Sequence, residues 1–235
     1  MTFFLRHWVD CITDSPVDAS YHAYYGVVNK TFYKFGYNYI MWIIVGLGNP
    51  GEEYENTRHN TGRFVLGKFL KTFSFSEPVF NKKYQSLVSE GRVGKESVMV
   101  LFPETFMNKS GSSLERLITS NKKAENLVVV HDDLDLPIGK IKISFNRGTG
   151  GHRGVLSIVK KIKTEGFVRV RVGISPVTVS GKLKKPKGES SVEKHILGKW
   201  KKSEIEILKK TSKKISDALH VLVLEGREIA MSEFN

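Results

Sequence analysis

Residues 44–60 read Ile44-Val-Gly-Leu-Gly-Asn-Pro-Gly-Glu-Glu-Tyr-Glu-Asn-Thr-Arg-His-Asn60. The apolar, β-branched run that ends at Val45 predicts a buried strand, and Gly46, Gly48, Asn49-Pro50 and Gly51 break it into a sharp loop. A polar stretch carrying Tyr54, His59 and Asn60 comes next, followed by Phe64, Val65, Leu66, Phe69, Leu70 and Phe73 at helical spacing. Asn60 or Thr61 is the expected cap of a helix over 61–72. Strand, loop and helix in that order open an α/β fold. A histidine just ahead of the helix lies where open α/β sheets place their ligands.

Gly46, Gly48 and Gly51 also satisfy G-x-G-x-x-G, the fingerprint of a dinucleotide site. The context argues against it. Pro50 sits inside the motif, Glu52, Glu53 and Glu55 would repel a pyrophosphate, and Phe73 to Glu77 only poorly imitates the required second strand with a terminal acid. A nucleotide-dependent oxidoreductase is therefore the weaker rival.

Downstream, 84–88 and 97–102 read as a hairpin around Gly91-Arg-Val-Gly94. Pro103 to Gly111 leads into an expected helix over 112–119, and Leu127 to Val130 is another apolar strand. Residues 140–145 alternate as a strand does, a glycine-rich turn over 148–154 opens a helix to about Lys163, and 168–174 is a further strand. A lysine-rich loop over 176–202 precedes a last helix over 203–225. Alternating strands and helices predict a single α/β domain with a twisted, mixed, mostly parallel sheet, flanked by helices on both faces.

The chain has 235 residues, enough for one domain with a substantial core. A formal charge of +13 points to a polyanionic partner such as nucleic acid. No apolar run approaches the eighteen or so residues needed to span a bilayer, so no membrane partner is expected. Cys11 is the only cysteine, which fits a reducing compartment. Residues 1–42 stand apart: rich in aromatics, without periodicity, and balanced between Arg6, Lys30, Lys34 and Asp10, Asp14, Asp18. They are expected to be a dispensable extension, with Met41 the functional start. A docking segment with aromatic anchors is the rival.

Three polar clusters follow three apolar strands: Asn49/Tyr54/His59/Asn60, Met107/Asn108, and His131/Asp132/Asp133/Asp135. Parallel strands would bring all three to one sheet edge. A histidine with a carboxylate and asparagine amides, and no plausible nucleophilic Ser or Cys, suggests general-base activation of water. Each residue has a structural alternative: His59 could cap or pack, Asn108 could end a turn, Met107 could pack, and the acids could cap strand ends. The His-Asp-Asp-x-Asp run lacks the spacing of a calcium loop, so no metal is expected.

The motifs I-V-G-L-G-N-P-G-x-x-Y-x-x-T-R-H-N, T-F-M-N-x-S-G, H-D-D-L-D-L-P-x-G, G-G-H-x-G and F-x-R-x-R-x-G-I resemble, in order and spacing, the bacterial-type peptidyl-tRNA hydrolases. The similarity runs from Ile43 to the end, through H-I-L-G-K-W and A-M-S-E-F-N, and leaves 1–42 unmatched. The resemblance implies a cytoplasmic, monomeric enzyme that recycles peptidyl-tRNA during translation by cleaving the ester between an N-blocked peptide and the terminal ribose. It implies no cofactor and no obligate protein partner. By motif, His59 would activate water, Asp132 would hold and stabilise it, and Asn49 would recognise the peptide backbone. Tyr54, Asn60, Phe106, Met107 and Asn108 would contact or shape the substrate site, with Asn108 a candidate oxyanion donor. Lys142 and Arg171 would face the acceptor stem. Arg153 departs from the family pattern by standing where an Asn is usual, and F-N-R-G-T over 145–149 also departs. A non-catalytic RNA-binding relative is the rival within the fold, against which the retained His59, Asp132, Asn49 and Asn108 argue.

Overall fold

The computed structural model describes residues 41–235. Residues 1–40, nearly all of the expected extension, lie outside them, and Met41 and Trp42 open the first strand. Among the described residues seven strands form one sheet: β1 (Met41–Gly46), β2 (Val79–Asn81), β3 (Ser86–Val93), β4 (Glu96–Pro103), β5 (Leu127–Pro137), β6 (Ile141–Phe145) and β7 (Val168–Ser175). Their order is β2-β3-β4-β1-β5-β7-β6. The α-helices are α1 (Thr61–Thr72), α2 (Asn121–Ala124), α3 (Arg153–Ile162), α4 (Glu189–Ile196), α5 (Lys202–Glu225) and α6 (Arg227–Phe234).

The sheet is mixed, but the expectation that it is mostly parallel needs correction. The central strands β4, β1, β5 and β7 run parallel, whereas β2–β3, β3–β4 and β6–β7 pair antiparallel. Connections as short as that between β3 and β4 cannot make a crossover, so they impose antiparallel pairing at that edge. The turn falls at Gly94-Lys95, with Gly94 at φ +56°, and not at Gly91. Gly91 is inside β3 because the Phe75 ring covers it: a Cβ there would lie 2.7 Å from the ring.

Alternate residues of the central strands feed two buried layers. Ile43, Val45, Leu101, Leu127 and Val129 pack with Val155 and Ile158 of α3 and with Met107, Leu114 and Phe167. Ile44, Val100 and Val128, fully buried, project to the other face, where α1 packs on α5 through positions such as Phe69, Leu208, Ile215 and Leu219. Each such side chain contributes roughly 1.5–3 kcal/mol by leaving water. α1 can sit tight on the sheet because Gly62 has no side chain. A Cβ there would meet Val130 O at 2.3 Å and Leu47 N at 2.6 Å.

Several local expectations differ. Over the expected helix 112–119 the chain instead ends a 3-10 segment (Met107–Ser113) and continues in turns over 114–117, with one α-type bond from Ile118 N to Leu114 O. Gly111 is pressed against α3, its N–H bonded to Ser157 Oγ at 3.0 Å, and Ser110 Oγ donates back to the Met107 carbonyl at 2.9 Å, in competition with a helical backbone bond. The lysine-rich segment contains α4, and α6 follows α5 after Gly226, whose φ of +94° ends the long helix.

Candidate active site

Because β4, β1 and β5 are parallel, the loops at their carboxyl ends emerge at one edge of the sheet, as the three polar clusters require. They line a cleft of about 520 Å³ with Asn49, Tyr54, His59, Phe106, Met107, Asn108 and Asp132 on its walls. Arg153 lines it too, from the start of α3, while α4 contributes Glu189, Val192, Glu193 and Ile196.

The first loop is closed by Asn60. Its Oδ1 accepts from Asn49 N at 2.8 Å and its Nδ2 donates to Asn49 O at 2.9 Å. Asn60 occupies the N-cap position of α1, yet its side chain makes no cap bond and is spent on the Asn49 backbone. It is buried and outside the cleft lining, and both its bonds brace Asn49. Met107 N donates to Asn49 Oδ1 at 2.8 Å, which joins the second loop to the first and orients the amide. The Asn49 NH₂ is the end left for a ligand carbonyl. Tyr54 and the exposed Phe106 meet edge to face, ring centroids 6.4 Å apart, and give the cleft an aromatic rim. Asn108 is exposed beside it.

β5 continues through the acidic motif, so Asp132 projects oppositely to His131 and Asp133. Its Oδ1 lies 3.0 Å from His59 Nδ1 and 3.0 Å from His152 Nε2. Burial alone would raise the Asp132 pKa, but the charges of His59 and His152 and their hydrogen bonds outweigh it and hold the carboxyl well below its ordinary range. Asp132 is therefore an anion, which fixes the proton of His59 on Nδ1 and leaves Nε2 as the basic nitrogen.

His152 was legible only as part of a glycine-rich turn. Its Nδ1 accepts from the N–H groups of Gly154 and Val155, at 3.1 and 3.3 Å, and so caps α3. With Nδ1 an acceptor, the ring's proton is on Nε2 and is donated to Asp132. His131, directly before Asp132, donates Nδ1–H to the Asp132 carbonyl at 2.7 Å. Burial, with the nearby His152, lowers its pKa well below the usual imidazole value, so it is neutral.

His59, Asp132 and His152 offer three atoms close enough to hold a metal ion. The hydrogen bonds oppose it. A ligating histidine ordinarily donates its other N–H outward, whereas His152 receives two N–H groups there and could ligate only as an imidazolate. The arrangement suits proton transfer better than metal binding.

Lys142 and Arg171 are cross-strand partners on β6 and β7, away from the cleft lining. Arg171 Nε is 2.5 Å from Asp133 Oδ2, while Lys142 is exposed. Arg169, on the same face of β7, is mostly buried and donates to Gly148 O at 2.8 Å, holding the glycine-rich turn. Arg153 Nη2 is 2.6 Å from Glu189 Oε1, an exposed pair across the mouth of the cleft.

The sequence matches the profile of the family described as Peptidyl-tRNA hydrolase over residues 43–235. A peptidyl-tRNA hydrolase of Thermoanaerobacter sp. (strain X514) is 39% identical over 196 residues, covering 83% of this chain and 100% of that one. One from Syntrophotalea carbinolica is 40% identical over 196 residues, covering 83% and 97%. In three dimensions the chain is similar to the crystal structure of peptidyl-tRNA hydrolase from Acinetobacter baumannii, with TM-score 0.73 and 29% identity over 84% of this chain and 95% of that one.

Proposed function

This chain belongs to the peptidyl-tRNA hydrolase family, and from that premise we propose that it hydrolyses the ester between an N-blocked peptide and the 3′-terminal ribose of tRNA, with His59 as general base. The observation that carries the base assignment is the Asp132 carboxylate 3.0 Å from His59 Nδ1, which makes Nε2 the proton acceptor facing the cleft. Water held by Nε2 loses a proton to it as its oxygen attacks the ester carbonyl. The imidazolium is stabilised by Asp132, itself steadied by His152. Collapse of the tetrahedral intermediate breaks the carbonyl carbon–ribose oxygen bond, and the imidazolium returns the proton to the leaving oxygen. Asn108, exposed and unbonded at the cleft, donates to the developing oxyanion.

Asn49 presents its NH₂ to a carbonyl of the blocked peptide, which a free aminoacyl group lacks. Tyr54 and Phe106 flank the peptide, and Met107 shapes the wall beneath. Lys142 and Arg171 face the acceptor stem, and Arg153 lies towards its 3′ end. The enzyme acts as a monomer in the cytoplasm. Incubation with N-acetyl-aminoacyl-tRNA and with its unblocked counterpart tests the assignment. Cleavage of the blocked substrate alone is expected; equal cleavage of both, or of neither, contradicts it. His59→Ala should abolish turnover and leave tRNA affinity within a few-fold, so parallel loss of binding and rate would remove His59 from the base role.

A further inference from the structure

α4 forms one wall of the cleft, yet none of its residues is buried. With Val192 and Ile196 only half-buried, the helix depends on polar tethers for its placement. One is the exposed Arg153–Glu189 pair at its start. Another is His195 Nε2–H, which donates to Ile174 O at 3.0 Å. The densest set belongs to Arg58, the neighbour of His59. Its Nη1 reaches the carbonyls of His195 at 3.5 Å, Gly198 at 3.2 Å and Lys199 at 3.2 Å, at the carboxyl end of α4. A cation is favourable there, because the last carbonyls of a helix lack internal partners and carry partial negative charge.

The second terminal nitrogen of the guanidinium is also committed, while Nε is buried without a partner among the described residues. Nη2 is 2.8 Å from Glu204 Oε2, and the Glu204 carboxylate also accepts from Lys201 N at 2.8 Å at the start of α5. Its plane lies over Trp200, 5.0 Å from the ring centroid. Backbone bonds stitch the same two segments: Arg58 N to Gly198 O at 3.1 Å and Trp200 N to Asn56 O at 2.9 Å. Gly198 admits this approach because a Cβ there would come within 2.9 Å of Arg58 Nη1.

We propose that Arg58 is a positioning residue for the hydrolysis: its guanidinium tethers the carboxyl end of α4, and with it a wall of the cleft, to the segment that carries His59. The proposal rests on the hydrolase reading above. The wall meets the substrate and the base acts on water, so loosening the tether weakens substrate binding and spares the chemical step. A lysine cannot replace it, since one ammonium lacks the planar fork that serves carbonyls and carboxylate together.

Two variants test this. Arg58→Lys keeps the charge, and Gly198→Ala keeps the arginine while displacing its fork. For each, KM for N-acetyl-aminoacyl-tRNA is expected to rise about five- to tenfold with kcat within about twofold. Amide exchange at residues 192–197 should accelerate at least about tenfold, with α1 and β5 still protected. If Arg58→Lys no longer folds cooperatively, Gly198→Ala carries the same test. A purely structural Arg58 gives global exchange and a lower kcat at unchanged KM, which overturns the proposal. Local exchange with wild-type KM also overturns it, because the wall then does not bind substrate. Should the wild-type protein fail to hydrolyse the ester, the hydrolase reading fails, and the exchange arm still decides the tether.

Discussion

Asp132→Asn keeps the size of the side chain and removes the charge from between two histidines. The carboxylate lies 3.0 Å from His59 Nδ1, so at an effective dielectric constant of about 20 it stabilises an imidazolium there by at most about 5.5 kcal/mol. Each 1.36 kcal/mol or so is tenfold in rate, which sets a ceiling near four decades. A general base is typically worth about 10² to 10⁴, so the loss should fall in that range. Geometry adds to it. The amide oxygen can serve His59 and His152 only in one orientation. Flipped, its NH₂ would face the His59 Nδ1–H and drive the proton to Nε2, where it blocks the base. Single-turnover cleavage of N-acetyl-aminoacyl-tRNA under saturating enzyme reads the chemical step, and filter binding of the same tRNA reads affinity. The expected result is a rate lower by about 10² to 10⁴ with affinity changed by less than about threefold. A wild-type rate would make Asp132 a structural acceptor for two histidine N–H groups and refute the reasoning.

Protonation of His131 should be visible in stability. Burial lowers its pKa in the fold, where it faces His152, Asp132 and Arg169, so below pH 6.5 the unfolded chain takes up a proton that the folded chain does not. Its contribution is complete above that pH and declines as pH falls, by up to about 1.4 kcal/mol per pH unit. Urea midpoints at pH 7 and 5.5 should therefore diverge less in His131→Gln than in wild type, and an identical divergence would deny His131 this role. Asp132 adds a loss of the same sign, but only near and below the ordinary carboxylate range, since its folded pKa is depressed far beneath it. Arg153→Ala should raise KM with little change in kcat and flatten the salt dependence of tRNA binding by roughly one unit of slope. The pair with Glu189 is no obstacle, because exposed pairs are worth about 0–1 kcal/mol and a phosphate can replace the carboxylate. Arg153→Asn should recover affinity with the flatter slope, and unchanged KM in both variants at low and high salt would leave Arg153 an ordinary surface residue.

The convergence of the site was legible because it depends on chain direction and periodicity. Apolar runs ending at Val45, Phe102 and Val130 read as buried strands, and once these run parallel, as β4, β1 and β5 do, their following loops reach one edge. What escaped the sequence depends on contacts between segments far apart in the chain. His152 is 20 residues from Asp132, and its role follows from a fold-back that glycine spacing alone does not specify. The helix expected over 112–119 did not form where α3 presses on Gly111 just ahead of it, a contact that the sequence of this stretch cannot show. The balance of parallel and antiparallel pairing was equally hidden, since a strand's period does not reveal its neighbour's direction.

Asn60 shows how a correct local signal can carry a different purpose. It has the chemistry of a helix cap and stands at the cap position, and sequence rules stop there. The loop from Gly48 passes so close that a Cβ on Gly48 would lie 3.0 Å from Asn60 Cγ. At that distance the Asn49 backbone offers the amide both a donor and an acceptor, whereas the helix end offers only donors. Two buried bonds outcompete one cap bond, each net worth about 1 kcal/mol. The glycine thus acts at a distance from its own conformation: by letting the loop approach, it turns a cap into the brace that holds Asn49. Asn49 in turn is fixed through Met107 to the neighbouring loop, so the site's amide is oriented from two sides before any substrate arrives.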